Sequence, residues 1–524
     1  MTNKYLYITL LAALGFRIEA YCQESHNAPR LVVSIAIDQL RSDYLEAFMP
    51  LYCPDGFRLL LNRGIVYENA SYPFTPVDRA SATASLSTGV TPYYNNLVGE
   101  RWLNRETLRP IYCVDDSKFP GLHTGDATSP RHLSTSTLGD ELKVATAGRG
   151  LVYAIAPYRD AAVLSAGHAA DGAFWLDDAN GNWCSSQYYF SVAPTWLTAY
   201  NRIQAPSLTI DKLTWQPLND FVGNFSYFMK TGPQNPFKHD FSGLQRFKDF
   251  KTSGLVNENV TNMAQQCVAS SGMGNDRVPD LLCLTYYAGN FRHQPVTDCQ
   301  IELQDTYVRL DREISRLIKQ LEERVGKDNV LFVLTSTGYC DEETTDYQKY
   351  RIPSGTFYLS RTAGLMNMYF GAIWGRGKYV EAYFRNQFFL NHKLFESKKI
   401  SIVEATSRAQ EFLVMMSGVR NVYTSLQLMT DNNEHLRKIR NGFNAEHCGD
   451  VVIETAPGWR LLNEDTQEDE LSRASFIPFP IILYGAGMKA ERVSTPVTTD
   501  RVAPTIARAI RIRAPNACSS APLF

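Results

Sequence analysis

Apolar and polar residues follow one another along the chain in blocks that predict an α/β protein. Four short apolar runs, at residues 31–37, 281–287, 329–335 and 480–484, indicate buried strands. Such nearly continuous runs are typical of parallel strands covered on both faces. Residues 301–325 carry apolar side chains at helical spacing, which predicts an amphipathic helix. Strand, helix and strand in succession predict a mostly parallel central sheet with helices on both faces.

Two segments depart from this pattern and are expected to be insertions. Residues 171–275 are rich in Trp, Tyr, Asn, Gly and Pro with weak periodicity, which indicates an inserted cap. Its aromatic side chains form either a ligand-binding surface or ordinary cap packing. Residues 341–470 form the second insert, with short helices expected at 379–391 and 407–416. We therefore expect one large domain, residues 23–524, that carries two inserts.

The start of the chain predicts a signal peptide over residues 1–22. Lys4 precedes an apolar stretch at residues 5–16, which has the length of a signal-peptide core and is too short to cross a bilayer. Cleavage is expected after Ala20 or after Cys22. No later segment reaches about 18 consecutive apolar residues, so the exported protein is not expected to span a membrane.

Charge and cysteine content exclude several classes of function. The chain has 52 Lys and Arg against 54 Asp and Glu, a net charge of -2, and no long basic run. Nucleic acid is therefore not an expected partner. Ten cysteines are scattered without a C-x-x-C pair, which disfavours zinc ribbons and thioredoxin-like chemistry. In an oxidising compartment some of them are expected to form disulfides.

Asp38 is the first candidate for a functional residue. It directly follows the apolar run at residues 31–37. Open α/β sheets bind ligands just beyond the carboxyl ends of their strands. Asp38 is therefore expected at the edge of the sheet where a site would lie.

Eight short blocks keep a recognisable order along the chain. They lie at residues 37–44, 84–89, 129–133, 139–142, 166–168, 172–175, 304–307 and 499–505. Together they resemble secreted bacterial alkaline phosphatases of the type I phosphodiesterase/nucleotide pyrophosphatase group. The resemblance implies an alkaline-phosphatase-like sandwich. It also implies, for active members, hydrolysis of phosphate esters by a Thr or Ser nucleophile and two zinc ions.

The resemblance further implies six carboxylate and imidazole zinc ligands, of which this chain keeps only Asp38. The other five positions hold Tyr286, Asn290, Thr337, Gly338 and Pro478. Two metals would activate the attacking group and stabilise both oxygens of an in-line displacement. Loss of even a residue that supports a ligand weakens a metal site 10–100-fold. We therefore expect no zinc and no other cofactor.

The nucleophile is also replaced. Arg79 stands at its position, and a guanidinium stays protonated and is not a nucleophile. A register shift of one residue would place Asp78 there, which could only form an acyl phosphate. The family's Lys-x-Arg phosphate clamp corresponds to residues 158–160, which include Arg159. No catalytic residue is therefore assigned.

The residues expected to remain from the phosphate and metal pocket are Asp38, Arg79, Arg159 and Asn290. Asp38 is interpreted as a capping or hydrogen-bonding residue, with a role as metal ligand as the alternative. Arg79 is expected at the start of a helix, facing Asp38. It either forms an ion pair with Asp38 or binds an anion.

Three nearby residues could replace lost ligands. His293 lies three residues after Asn290, and Asp341 and Glu342 closely follow residue 337. These replacements would not by themselves rebuild a site for two metals.

The sequence favours a catalytically inactive pseudophosphatase of the bacterial cell envelope, in the periplasm or associated with the outer envelope. It would act by binding a protein, a glycan or an anionic ligand. The alternative is an active hydrolase of phosphate or sulfate esters with a rebuilt metal site. A third interpretation is a purely structural subunit of an envelope assembly.

Overall fold

The structure is a computed structural model that describes residues 28–223, 225, 237–341, 350–431, 433–466, 468–470 and 477–524. The signal peptide expected at residues 1–22 and the candidate Glu342 lie outside these residues. The described part of the chain contains 22 strands and 17 α-helices.

In chain order, the strands are β1 (Leu31–Asp38), β2 (Ile65–Ser71), β3 (Arg101–Leu103), β4 (Pro110–Tyr112), β5 (Gly121–Leu122), β6 (Val152–Ala156), β7 (Gly172–Leu176), β8 (Trp183–Ser186), β9 (Thr214–Trp215), β10 (His239–Asp240), β11 (Asp280–Tyr287), β12 (Val330–Ser336), β13 (Gly355–Tyr358), β14 (Val380–Phe384), β15 (Gln387–Leu390), β16 (Val419–Thr424), β17 (Val451–Thr455), β18 (Trp459–Asn463), β19 (Glu468–Glu470), β20 (Phe479–Gly485), β21 (Glu491–Val493) and β22 (Val497–Thr498). The helices are α1 (Ser42–Ala47), α2 (Phe57–Arg63), α3 (Arg79–Thr88), α4 (Pro92–Asn95), α5 (Leu138–Ala145), α6 (Arg159–Ala166), α7 (Thr195–Gln204), α8 (Asp220–Gly223), α9 (Arg246–Lys251), α10 (Val256–Ser271), α11 (Gln300–Val325), α12 (Leu359–Trp374), α13 (His392–Ser397), α14 (Ile402–Leu413), α15 (Ser425–Thr430), α16 (Arg437–Asn441) and α17 (Val502–Ala509).

An 11-stranded sheet forms the centre of the molecule. Its strand order is β21-β2-β20-β12-β1-β11-β6-β7-β8-β5, and β22 also pairs with β2. β1 runs parallel to β11 on one side and to β12 on the other, and β6 and β7 continue the parallel part. β20 is antiparallel to both of its neighbours. The mostly parallel sheet and the amphipathic helix, now α11, are confirmed, while the last expected strand runs in the opposite direction.

The alternation of side chains along β1 decides where the site lies. Val33, Ile35 and Ile37 join the hydrophobic core that α10 and α11 cover, whereas Val32 joins the core on the other face. Successive strand residues point to opposite faces, so Asp38 points to the same face as Val32. That face is covered by α3, α5, α6 and α17. The strand therefore brings the carboxyl group of Asp38 towards the start of α3.

The boundaries expected for the first insert, residues 171–275, do not match the structure. β7 and β8 are strands of the central sheet, and α10 packs on it within the main core. These elements are short or completely buried, so they lack the alternation of polar and apolar residues that marks a half-buried strand. Among the described residues of this span, those between β8 and α10 contribute no strand to the central sheet, and β9 and β10 form a separate two-stranded sheet.

The second insert, expected at residues 341–470, has a hydrophobic core of its own. We call residues 350–431 and 433–466 of this span the second lobe. A four-stranded sheet, β14-β15-β17-β16, packs against α12 and α14 around this core. The helix expected at residues 379–391 is wrong, because β14 and β15 form an antiparallel hairpin there. The helix expected at 407–416 corresponds to α14.

The nine cysteines of the described residues are all free, and seven of them are buried. The expected disulfides are therefore absent among these nine, which pack as small apolar side chains. Within the same part of the chain, no helix combines the length and apolar character that crossing a membrane requires.

Candidate functional site

Asp38 lies buried at the carboxyl end of β1, and its side chain is held by hydrogen bonds. Oδ1 accepts a hydrogen bond of 2.9 Å from Oγ1 of Thr337, whose own oxygen accepts one from the backbone N–H of Gln39. Burial raises the pKa of Asp38, while Arg79 and hydrogen bonds from Thr337 and Tyr339 act in the opposite direction. The capping role considered for Asp38 is wrong, since the next helix, α1, has Arg41 at its N-cap. The hydrogen-bonding role agrees with the structure.

The helix that faces Asp38 begins at Arg79 and is capped by Asp78. Oδ1 of Asp78 accepts a hydrogen bond of 3.0 Å from the backbone N–H of Ser81, and the Ser81 hydroxyl completes a capping box. Its other oxygen, Oδ2, accepts a hydrogen bond from the backbone N–H of Glu100 and lies 3.5 Å from Arg385 of the second lobe. Such caps typically stabilise a helix by about 1 kcal/mol. Asp78 is thus fully engaged in structural contacts.

The guanidinium of Arg79 lies among three carboxylates. Its Nε contacts both oxygens of Asp160, at 3.0 and 3.1 Å, and its Nη2 lies 2.7 Å from Glu100. Nη1 lies 3.8 Å from Oδ2 of Asp38. The ring of Tyr158 packs against the same group, 3.8 Å from Cζ to the ring centroid. The ion pair expected with Asp38 therefore exists, but Asp160 and Glu100 are the closer partners.

The electrostatics of this group are dominated by burial. Arg79, Asp38 and Asp160 are all buried, and Glu100 is largely so. Burial by itself would lower the pKa of Arg79, but Asp160 and Glu100 raise it well above its ordinary value. Burial raises the pKa of Asp160, and Arg79 opposes this shift. Charges buried without compensation are very costly, so the cation and the carboxylates depend on one another. We call Asp38, Arg79, Glu100 and Asp160 the Arg79 cluster.

Arg159 and Asn290 do not join the Arg79 cluster. Arg159 lies 2.7 Å from Asp115, donates a hydrogen bond to Thr128 and stacks on Tyr112, at 4.5 Å. The Asn290 amide donates to the backbone carbonyl of a residue in its own loop. Of the four residues expected to remain from the pocket, the structure brings together only Asp38 and Arg79.

The positions expected for the lost zinc ligands have taken other roles. The hydroxyl of Tyr286 lies 3.0 Å from that of Thr261 on α10, on the opposite face of the sheet from Asp38. His293 lies 3.1 Å from Asp341, and among the described residues no third His, Cys, Asp or Glu side chain joins this pair. Indeed, the described residues contain no group of three or more His, Cys, Asp or Glu side chains that could hold a metal.

The donor set does not fit the pair of zinc ions that the family resemblance implies. The one ligand retained, Asp38, faces a guanidinium that carries a permanent positive charge. A cation at that position repels a metal and also occupies the space next to the carboxylate. We therefore derive no catalytic step through zinc at this site.

The sequence interpretation missed Glu100, Asp160 and Tyr158 as partners of Arg79. A signal existed for Asp160, because it follows β6 and lies in the first turn of α6, at the same edge of the sheet as Asp38. Carboxyl ends of parallel strands share an edge. Glu100 lies in a loop after α4, and its approach to Arg79 follows only from the tertiary fold.

Comparison with known proteins shows which family the sequence of this chain resembles. The sequence model of the type I phosphodiesterase / nucleotide pyrophosphatase family matches residues 32–475. Alkaline phosphatase PhoV of Synechococcus elongatus is 27% identical over 511 residues, covering 93% of this chain and 91% of that protein. Alkaline phosphatase PafA of Elizabethkingia meningoseptica is 24% identical over 513 residues, covering 94% of each.

The fold is shared as well. The crystal structure of wild-type PafA superposes with a TM-score of 0.81 at 24% identity, covering 95% of this chain and 98% of that one. The sheet, its order and the helices on both faces are therefore those of an alkaline-phosphatase-like α/β fold. The family's sequence model matches most of the length of this chain, residues 32–475. The chain therefore belongs to the type I phosphodiesterase/nucleotide pyrophosphatase family.

Proposed function

We propose that this protein is a non-catalytic member of its family, a pseudophosphatase that acts by binding. One observation carries the proposal: the residue at the nucleophile position expected from the resemblance is Arg79, and its guanidinium is held by Asp160, Glu100 and Asp38. This arrangement provides neither a nucleophile nor ligands for a metal pair.

The large rate acceleration that phosphate-ester hydrolysis requires argues against residual hydrolysis at this site. Phosphate monoesters are among the slowest substrates to react without catalysis, and enzymes accelerate their hydrolysis by up to about 10²¹-fold. That acceleration rests on charge stabilisation and an activated nucleophile. A cluster whose only cation is already bound to three carboxylates has no free positive charge to offer a transferring phosphoryl group.

We further propose that the protein works in the cell envelope, in the periplasm or on the outer envelope. Support comes from the apolar residues 5–16 behind Lys4, which fit an export signal. The ligand in this proposal is a glycan, an anion or an envelope protein. Since the carboxylates of the Arg79 cluster already neutralise the guanidinium of Arg79, such a ligand would bind next to the cluster.

Metal content and turnover test the proposal directly. The protein is purified after expression with added zinc and analysed for zinc per chain, and hydrolysis of 4-nitrophenyl phosphate is followed at alkaline pH. We expect no stoichiometric zinc and no turnover above that of the Asp38→Asn variant, which lacks the retained ligand. About two zincs per chain, with turnover that a chelator or Asp38→Asn abolishes, would overturn the proposal.

A second candidate function is hydrolysis of phosphate or sulfate esters with a rebuilt metal site. It is favoured by the names of the relatives, since PhoV and PafA are both called alkaline phosphatases. His293 and Asp341 would be its first ligands, because they already lie 3.1 Å apart. Chelator-sensitive hydrolysis of an aryl phosphate or sulfate that His293→Ala removes, while Asn290→Ala retains it, would support this candidate.

A further inference from the structure

Helix α12 of the second lobe is apolar on its outer face as well as on its inner face. The inner face packs into the core of the lobe through residues such as Met366 and Phe370. The outer face carries Leu365, Met368 and Ile373, whose surfaces are 36%, 69% and 44% exposed. Helices that are apolar on all sides are normally buried in a protein core or in lipid. We therefore expect a partner to cover the outer face of α12.

No charged side chain interrupts this outer face. Residues 362–375 contain no Asp, Glu, Lys or Arg. The side chain of Thr362 is buried, and that of Asn367 accepts hydrogen bonds from the backbone N–H groups of Tyr379 and Val380, at 2.7 and 2.9 Å. The exposed residues of this stretch are Gly, Leu, Met, Ala and Ile. Single exposed apolar residues are common, whereas a continuous apolar face marks an interaction site.

The segment that contains α12 is strongly basic. Residues 351–400 hold eight Lys and Arg against two Glu, a net charge of +6 in a chain whose net charge is -2. Two of the eight cations contact carboxylates from elsewhere in the chain, in the pairs Arg361–Glu464 and Arg385–Asp78. With these two partners counted, the segment still has four positive charges in excess.

Unpaired cations gather where α12 ends. Arg376 and Lys378 directly follow the helix. Lys398 reaches the same end, because its Nζ donates a hydrogen bond of 2.9 Å to the carbonyl oxygen of Trp374. Its neighbour Lys399 is exposed, as are Arg376 and Lys378, and these three form no ion pair with a described residue. We call Arg376, Lys378 and Lys399 the basic end of α12.

The nearby carboxylates do not neutralise this end. Glu404 and Glu411 lie on α14 on either side of Arg408, which contacts Glu411 at 3.0 Å. Glu396 is exposed and lies in the same turn as Lys399, whose backbone N–H donates to its carbonyl oxygen. One free carboxylate beside three unpaired cations leaves the basic end positively charged.

A second copy of the chain is a poor partner for this face. In a two-fold symmetric contact the same patch meets itself, so the α12 segments of both copies would face each other. Residues 351–380 hold four cations and no Asp or Glu, and like charges at short range repel. An anionic lipid surface instead offers an apolar layer for the outer face and negative charge for the basic end.

We propose that α12 and its basic end dock the protein on the surface of an anionic phospholipid bilayer. The exposed Leu, Met and Ile side chains of α12 would enter the boundary between headgroups and acyl chains, while Arg376, Lys378 and Lys399 contact lipid phosphates. The helix would lie on the membrane and not cross it. This proposal goes beyond the proposed pseudophosphatase function and does not depend on it.

Co-sedimentation with large unilamellar vesicles tests the proposal on the full-length mature protein. Vesicles of phosphatidylcholine with about one-third phosphatidylglycerol are compared with vesicles of phosphatidylcholine alone. We expect saturable binding to the anionic vesicles and more than about tenfold weaker binding to the neutral ones, because each cation near an anionic surface contributes to the affinity. Raising the salt concentration should weaken binding to the anionic vesicles, since salt screens exposed charges.

Two variants locate the contact. Arg376→Gln with Lys378→Gln removes two cations of the basic end and should weaken binding to anionic vesicles about tenfold or more. Met368→Gln removes the most exposed apolar side chain of α12 and should weaken binding about fivefold or more, because less apolar surface leaves water on docking.

Matched control variants lie on and near α7, away from the second lobe. Ile203 is 73% exposed, so Ile203→Gln removes a similarly exposed apolar side chain. Arg202 and Lys212 are exposed and form no ion pair with a described residue, so Arg202→Gln with Lys212→Gln removes two comparable cations. Both controls should bind vesicles like the unaltered protein. Thermal melts of every variant establish that it is folded.

Several results would overturn the assignment. These are no saturable binding to anionic vesicles, equal binding to neutral vesicles, or equal weakening by the control variants. A dimer in sedimentation velocity that Met368→Gln dissociates would also overturn it and would assign the outer face of α12 to a second copy. Zinc content and hydrolysis test the proposed function separately, so a zinc-free, inactive protein that ignores vesicles would remove the docking assignment alone.

Discussion

Replacing Arg79 by alanine removes the only cation among three carboxylates of the Arg79 cluster. Asp38 and Asp160 are 1% and 0% exposed, so neither can be hydrated once the guanidinium is gone. Breaking a buried ion pair by removing one partner typically costs about 3–5 kcal/mol. The loss of the cation–π contact with Tyr158, at 3.8 Å, adds up to about 1–2 kcal/mol.

Protonation limits this cost and makes it depend on pH. An ordinary aspartate has a pKa of 3.8 in the unfolded chain, and burial already raises that of Asp38 and Asp160 in the folded protein. Without Arg79 both would rise further. Keeping one carboxyl protonated costs about 1.4 kcal/mol for each pH unit above its unfolded pKa, which is about 4 kcal/mol at pH 7. The folded variant then binds more protons than the unfolded chain, so its deficit grows as pH rises from about 4.

Thermal unfolding measures the effect. For a chain of 524 residues that unfolds as one unit, a loss of 3–5 kcal/mol lowers Tm by roughly 3–5 °C near neutral pH. The difference should shrink at pH 4. Arg159→Ala is the matched control, because its partners Asp115 and Asp126 are half-exposed and such pairs contribute about 1 kcal/mol or less.

Partial rescue provides the sharpest check. Asp160→Asn in the Arg79→Ala background removes the closest buried charge, so the double variant should be more stable than the single one. An Arg79→Ala deficit no larger than that of Arg159→Ala, or one that is the same at pH 4 and pH 8, would refute the reasoning. The guanidinium would then not be what compensates the buried carboxylates.

Two further predictions concern other parts of the fold. The carboxylate of Asp140 accepts a hydrogen bond from Nδ1 of His168 and thereby raises the pKa of His168. The pair therefore stabilises the protein below about pH 6.5, and this contribution is lost as pH rises through the folded pKa. His168→Gln should lower Tm at pH 5.5 and have little effect at pH 9, and equal shifts at both would contradict this. Gly418 has φ of +88° and an added Cβ would lie 2.2 Å from the ring of Trp459, whereas Gly148 has φ of +81° with nothing within 4 Å. Both alanine variants should lose about 1–2 kcal/mol of the free energy of unfolding to backbone strain. Gly418→Ala should lose about 1–3 kcal/mol more because its Cβ overlaps the Trp459 ring. Chemical denaturation measures both losses, and equal losses would show that the Trp459 ring moves aside freely.

The central sheet could be predicted because its strands are buried on both faces. Such strands form uninterrupted apolar runs, as at residues 281–287 and 329–335, and the amphipathic pattern of α11 marks its buried side. The direction of β20 could not be predicted in this way. Whether a buried strand runs parallel or antiparallel depends on the connections between elements, and not on the local pattern of residues.

The second lobe shows where local patterns fail. The aromatic residues at 379–391 suit a helix face as well as a hairpin, and pairing with β17 decides for the hairpin. The turn lies at Arg385, which adopts a positive φ of 52°. Short apolar runs do not distinguish helix from strand by periodicity alone.

The candidate site was predictable only in part. The order of sequence blocks indicated Asp38 and Arg79 as residues of one pocket, because each lies at a recognisable position next to a strand or helix. The partners Glu100 and Asp160 come from separate segments, 21 and 81 residues further along the chain than Arg79. Contacts between distant segments depend on the packing of whole elements, which a single sequence does not encode in its local pattern.

Arg79 is a counter-ion that belongs to the polypeptide itself. In a metalloprotein the cation that balances buried carboxylates must be obtained from the surroundings, and chelation or scarcity removes it. Here the balancing charge is attached through a peptide bond, at the first turn of α3. One positive charge among the carboxylates of Asp38, Glu100 and Asp160 is therefore present at any metal concentration.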